Sequence, residues 1–145
     1  MGKKATVNLG DIFLVPLDER DEITPKDGLD HRNKYCLVVG FLEYGYYVVY
    51  FILNSDPNPN FINTHERLSC QYPLSYKDYP HLIRPNKDPS YLDLGHIRKI
   101  EKQRLIDEGK LCGTLTASDY KNIFEWLIEG DYYPPKTKKK HGWIR

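Results

Sequence analysis

Two apolar runs joined by a short turn constrain this chain more than any other feature. Residues 46–53 read Tyr46-Tyr47-Val48-Val49-Tyr50-Phe51-Ile52-Leu53, an unbroken series of aromatic, β-branched and aliphatic side chains. Such residues suit a pleated, packed surface better than a helix. Tyr35-Cys36-Leu37-Val38-Val39 comes before it, and Glu43-Tyr44-Gly45 lies between as a hairpin turn. The run at 35–39 is continuous in its apolar character, so that strand is expected to be covered on both faces or nearly so, and the run at 46–53 is the most β-prone in the chain.

The rest of the pattern is mainly β with one helix at the end. Residues 11–17 predict a strand with Pro16 near an edge. A long polar stretch follows to Asn33, with Pro25 and Gly28 as turn residues. Residues 54–60, rich in Asn, Pro and Asp, stop the third strand. Residues 61–86 mix short apolar pieces with prolines and predict one or two short strands. Residues 90–94 alternate as a strand, and residues 96–100 and 104–106 read as strand or turn-like segments. Thr116 with Asp119 three residues later predicts a helix N-terminus of capping-box type. Tyr120, Ile123, Phe124, Leu127 and Ile128 then recur at helical spacing, Gly130 closes the helix, and Pro134-Pro135 prevents its return. The expected organisation is one domain over residues 1–130 and a basic tail over 131–145.

Composition limits the function classes. The chain has 145 residues, 40% of them hydrophobic and 28% charged, which is an ordinary globular mixture. Net charge is only +1, so long-range attraction to nucleic acid has to come from local clusters. Six acids stand between residues 18 and 31 against Arg20 and Lys26. Bases gather at 96–104 and in the Lys-rich tail. Three cysteines make no metal-type pairing; Cys36 and Cys112 read as buried free thiols, and a reducing cytoplasm is the expected location. No stretch is long and apolar enough to span a bilayer, so no membrane association is expected. His65, Glu66 and Cys70 lack the spacing and number of a metal site, and no metal or cofactor is expected.

Five segments, taken in order, resemble the MazF/PemK family of toxin ribonucleases. Gly10-Asp11-Ile12-Phe13-Leu14-Val15 is similar to its opening strand. Lys34-Tyr35-Cys36-Leu37-Val38-Val39 stands where the family has an Arg-Pro-led second strand. Val49-Tyr50-Phe51-Ile52-Leu53-Asn54-Ser55 stands for the strand that ends in Ile-Thr-Ser or similar. Ser90-Tyr91-Leu92-Asp93 with Ile97-Arg98-Lys99-Ile100 resembles the closing strands, and Gly113-Thr114-Leu115-Thr116 the entry to the last helix. The resemblance spans residues 9–128. It implies a small, strongly bent SH3-like antiparallel β-barrel with a C-terminal α-helix, a homodimer, single-stranded RNA as substrate, metal-free cleavage, and a small antitoxin protein as partner.

Carried over position by position, the resemblance puts the catalytic cation on Lys34 and the hydroxyl position on Asn54, with Ser55 as the adjacent hydroxyl. Arg32 and His31, just upstream, are candidates for a second cation and a proton-transfer group. Tyr35, Arg98 and Asp11 complete the set as candidate substrate contacts. The chemistry needs a cation beside a phosphate whose own 2′-hydroxyl attacks, and a group that moves the proton. Arg32 has the forked geometry that suits phosphate, and histidine changes charge near neutral pH. Two family positions are altered, since Arg-Pro has become Lys34-Tyr35 and the hydroxyl position has become Asn54. The rival reading is therefore a non-catalytic barrel that binds protein or nucleic acid, as gyrase-poisoning toxins of this fold do. A phage- or defence-associated module with another target is a third.

Overall fold

Strand β3 (Tyr47–Asn54) is the seam of the molecule. Its even-numbered residues Val48, Tyr50 and Ile52 enter one apolar cluster, and its odd-numbered residues Val49, Phe51 and Leu53 enter another. This is the period-2 alternation of a strand buried on both faces, and it accounts for the unbroken apolar run. In the computed structural model, which describes residues 6–25, 28–55 and 70–145, the two clusters lie on opposite faces of one sheet.

Seven strands are present among the described residues. Besides β3 they are β1 (Asp11–Leu17), β2 (Arg32–Leu42), β4 (Gln71–Leu74), β5 (Ser90–Asp93), β6 (Arg98–Glu101) and β7 (Lys110–Thr114). Their order is β4-β5-β3-β2-β1-β7, all pairs antiparallel. The edge of β3 away from β2 is shared end to end: β6 pairs with Tyr47–Tyr50 and β5 with Leu53 and Asn54.

Two register shifts curl the sheet. One falls between Val38 and Gly40 of β2, where Val39 has no partner in β3. The other falls in the β1–β7 ladder, where Ile12 faces Gly113 and Phe13 faces Leu111. Each inserts one unpaired residue, which bends its strand and increases the local twist. The result is a strongly curled, barrel-like antiparallel sheet with a helix near its C-terminal end, as the sequence pattern predicts.

Three α-helices among the described residues cover the sheet. Helix α1 (Lys102–Glu108) contributes Leu105 to the cluster that holds Cys36, Val38 and Tyr50. Residues 104–106 were expected as strand or turn; they are helical, because Leu105 packs under the curled sheet while Arg104 reaches back to Asp21. Strand β7, which follows, is not marked by the sequence pattern: its burial is slight and its pairing rests on backbone bonds to β1.

Helix α2 (Ala117–Glu129) places Ile123 and Leu127 in the other cluster, one turn apart. Thr116 caps it, accepting from the Asp119 N–H at 3.2 Å. The reciprocal half of the capping box is replaced. The Thr116 N–H donates to the Tyr79 hydroxyl, while the Asp119 carboxylate accepts from Tyr72 and Tyr79, each at 2.5 Å. That carboxylate joins the helix to the β4 region.

The final residues also depart from expectation. Pro134-Pro135 does end the path of α2, but Pro135 begins a short helix α3 (Pro135–Lys140). Lys138 is buried, and its ammonium donates to the carbonyls of Ile128 and Gly130 at 2.7 Å each, satisfying the C-terminus of α2. Trp143 is buried in the α2-side cluster. The stretch expected as a basic tail is thus packed into the body.

Candidate functional site

The start of β2 and the end of β3 are neighbours because their ladder is antiparallel, with Tyr35 opposite Leu53. One step further along the same register brings Lys34 beside Asn54. On its other side β2 is held by β1, with Lys34 opposite Val15 and Arg32 opposite Leu17.

A pocket of about 280 Å³ opens at these strand ends. Asn33, Lys34 and Tyr35 line it from β2, and Leu53 and Ser55 from β3 and its end. Leu82, Arg84 and Lys87 line it from the segment that leads into β5, with Ser90 at the start of that strand. The Ser90 hydroxyl donates to the Lys87 carbonyl at 2.9 Å, bracing this wall. Among the described residues that line the pocket are three cations and no carboxylate, a set that favours an anion. Tyr35 is half-buried against the apolar cluster. Burial raises the pKa of its phenol and Cys112 adds to the rise, while the nearby Arg84 charge opposes it.

The residues singled out from sequence fall into three groups. Lys34, Ser55 and Tyr35 come together in the pocket. Arg32 and Asn54 sit at the same strand ends but do not line it. Alternation along β2 and β3 puts them on the face that carries Cys36, Val38 and Ile52. Lys34 starts from that face as well, and borders the pocket from it.

His31, Arg98 and Asp11 lie apart from the pocket. The His31 ring is 2.7 Å from the exposed Asp30 carboxylate, and that contact holds the Asp30 carboxyl below its ordinary range. Arg98 donates to the Asp21 backbone carbonyl at 2.6 Å, which makes it a brace between β6 and the loop after β1. Asp11 stands at the far end of β1 from the pocket, opposite Thr114, and accepts from the Asn8 N–H at 2.8 Å. It is separated from Val15 by four residues of strand, roughly 13 Å.

The acidic stretch after β1 is largely tied down. Asp18 caps a short turn over Glu19–Asp21 and accepts from the Arg20 side chain, which lowers its pKa to about 2. Asp21 is buried and accepts a forked pair of bonds from Arg104 at 2.7 and 2.8 Å.

Arg84 and Lys87 carry two of the three charges of the pocket and were not anticipated. They lie in the stretch whose pattern is ambiguous in sequence, and only the path of residues 75–89 back toward β5 brings them to Tyr35. Cys36 and Cys70 are buried free thiols; Cys112, expected to be buried, is partly exposed because it sits at the irregularity of β7. Among the described residues no group of three His, Cys, Asp or Glu is placed to hold a metal. His65 and Glu66 lie outside the described residues. No helix among them is long and apolar enough to cross a membrane.

Comparison with known proteins adds no assignment: no family model matches the chain, and no curated protein matches it.

Proposed function

We propose that this chain is a toxin-type endoribonuclease of the MazF/PemK kind, which binds single-stranded RNA at the β2–β3 strand ends and cleaves it without a metal. One observation carries the reading: Lys34, Ser55 and Tyr35, selected from sequence by their place in the family pattern, line one pocket together with two further cations. A phosphodiester seated there has fixed positive charge around its non-bridging oxygens. Charge on those oxygens grows as the ribose 2′-oxygen bonds to phosphorus, so the cations stabilise the transition state more than the ground state. The P–O5′ bond then breaks, leaving a 2′,3′-cyclic phosphate and a 5′-hydroxyl end.

The same reading brings a homodimer and a small protein partner whose acidic segment occupies the pocket. Three unbridged cysteines suit work in a reducing cytoplasm. The test is incubation of the purified protein with a long mixed-sequence RNA in EDTA, followed by end analysis. Discrete fragments with cyclic phosphate ends are expected; intact RNA under all conditions refutes the nuclease.

A second reading is favoured by one feature. Among the described residues no carboxylate or imidazole lines the pocket, and His31 is turned to Asp30 instead. A barrel that binds an RNA phosphate without cutting it needs no such group. Retained RNA binding without cleavage, weakened by salt, is its signature.

A further inference from the structure

The pocket poses a chemical question that the family pattern leaves open. Transesterification releases a 5′-alkoxide, a poor leaving group unless something protonates it as the bond breaks. The cations at this site stabilise charge, but the resemblance supplies no donor here, since its motif has proline where this chain has Tyr35.

Three observations converge on one pair of residues. Tyr35 and Arg84 line the same pocket from different segments. The Arg84 charge acts on the Tyr35 phenol, so the two are electrostatic neighbours. The Tyr35 ring packs against the apolar cluster, which holds it at the pocket wall. Burial outweighs the guanidinium and keeps the phenol protonated through the neutral range. A protonated hydroxyl, held rigidly beside a forked cation, is the equipment of a general acid next to a phosphate clamp.

Resting on the ribonuclease reading, we infer that Arg84 and Tyr35 are a working pair: the Arg84 guanidinium grips the non-bridging phosphate oxygens, and the Tyr35 hydroxyl donates its proton to the departing 5′-oxygen. The step balances. Solvent hydroxide takes the 2′ proton as the 2′-O–P bond forms. The P–O5′ bond breaks with the Tyr35 proton moving to O5′, and water reprotonates the phenolate. Because no described side chain of the pocket accepts the first proton, the rate rises with pH through neutrality. It levels only when the phenol itself ionises, above the ordinary tyrosine range.

The test uses the full chain with Tyr35→Phe, Arg84→Gln and Arg84→Lys, and two RNAs that share a sequence the unmodified protein cuts. One is ordinary; the other has sulfur in place of the bridging 5′-oxygen at the cut, so that a thiolate leaves without needing a proton. Tyr35→Phe is expected to slow the ordinary RNA by about 10²-fold and to match the unmodified protein on the sulfur RNA. Arg84→Gln is expected to slow both RNAs and to reduce the salt dependence of binding to an uncleavable 2′-O-methyl copy. Arg84→Lys should recover only part of this loss. Melting curves check that each variant is folded. If Tyr35→Phe cuts ordinary RNA at the full rate, or is equally slow on both RNAs, the donor role is overturned while the ribonuclease reading stands. If the unmodified protein cuts neither RNA, that reading falls and the inference goes with it.

Discussion

The indole N–H of Trp143 donates to the backbone carbonyl of Val39 at 2.9 Å, across 104 residues of chain. Val39 is the residue that the β2–β3 ladder skips, so its carbonyl has no partner in β3. A buried carbonyl without a partner is costly, and the tail supplies the missing donor. Gly40 lies beneath the same contact: a Cβ there would come within 3.1 Å of the His141 carbonyl.

Replacing Trp143 by Phe keeps most of the apolar contact but removes the donor. A loss of about 1–3 kcal/mol is expected, the cost of an unpaired buried carbonyl. Trp143→Ala also opens a cavity, and about 3–5 kcal/mol is expected. Chemical denaturation measures both; equal stability of Trp143→Phe and the unmodified protein would show that the tail is not bound in this way.

Asp21→Ala is expected to destabilise by about 3–5 kcal/mol, because Arg104 would lose its forked partner and be left with its charge beside the apolar cluster, offset less well by Glu108 at 3.3 Å. Asp21→Asn, which keeps the shape and loses the charge, should fall between. Equilibrium unfolding of both variants decides; a change within experimental error in Asp21→Ala would refute the account.

Tyrosine ionisation predicts the alkaline limit of the fold. Burial and the Asp119 carboxylate push the Tyr79 phenol up to about 12, against an ordinary value of 10.0, and burial raises Tyr50 and Tyr133 as well. The unfolded chain gives up these protons first, so stability is complete below pH 10 and declines as pH rises from 10 toward 12. Phenolate absorbance and circular dichroism followed together should show these tyrosines ionising only as the fold is lost. Normal titration of every tyrosine in an intact fold would contradict this.

Within the pocket, Lys34→Ala is expected to lower RNA cleavage by about 10²–10³-fold, the usual effect of deleting one stabilising donor. It should also reduce the salt dependence of RNA binding by about one phosphate contact. Arg32→Ala, two residues nearer the start of the strand and outside the pocket lining, should leave cleavage within a few-fold of the unmodified rate. Single-turnover kinetics on one RNA separates the two, and equal losses would show that the pocket lining does not divide these cations.

Much of the architecture is legible along the chain because its signals are local. The apolar runs at 35–39 and 46–53 give the central hairpin, and Thr116, Asp119 and Gly130 mark the ends of α2. Strand β7 is silent in sequence, since it buries little and pairs through its backbone. Residues 104–106 read wrongly because α1 is set by what Leu105 and Arg104 reach across the fold, not by a periodic stripe. For the site, sequence order brought Lys34, Tyr35 and Ser55 forward. Arg84 sits in a stretch with no periodic signal and could not be found by spacing.

What the sequence by itself determined is therefore the set of elements with strong local signals: a hairpin of two β-prone runs and a capped, amphipathic helix. Only the tertiary structure decided the rest. The bulge at Val39 created a need that Trp143 fills, the antiparallel register brought the start of β2 to the end of β3, and the return of the chain before β5 set Arg84 beside Tyr35. These are relations between residues distant along the chain, and the curl of the sheet that creates them is a sum of many packing choices that no short window of sequence contains.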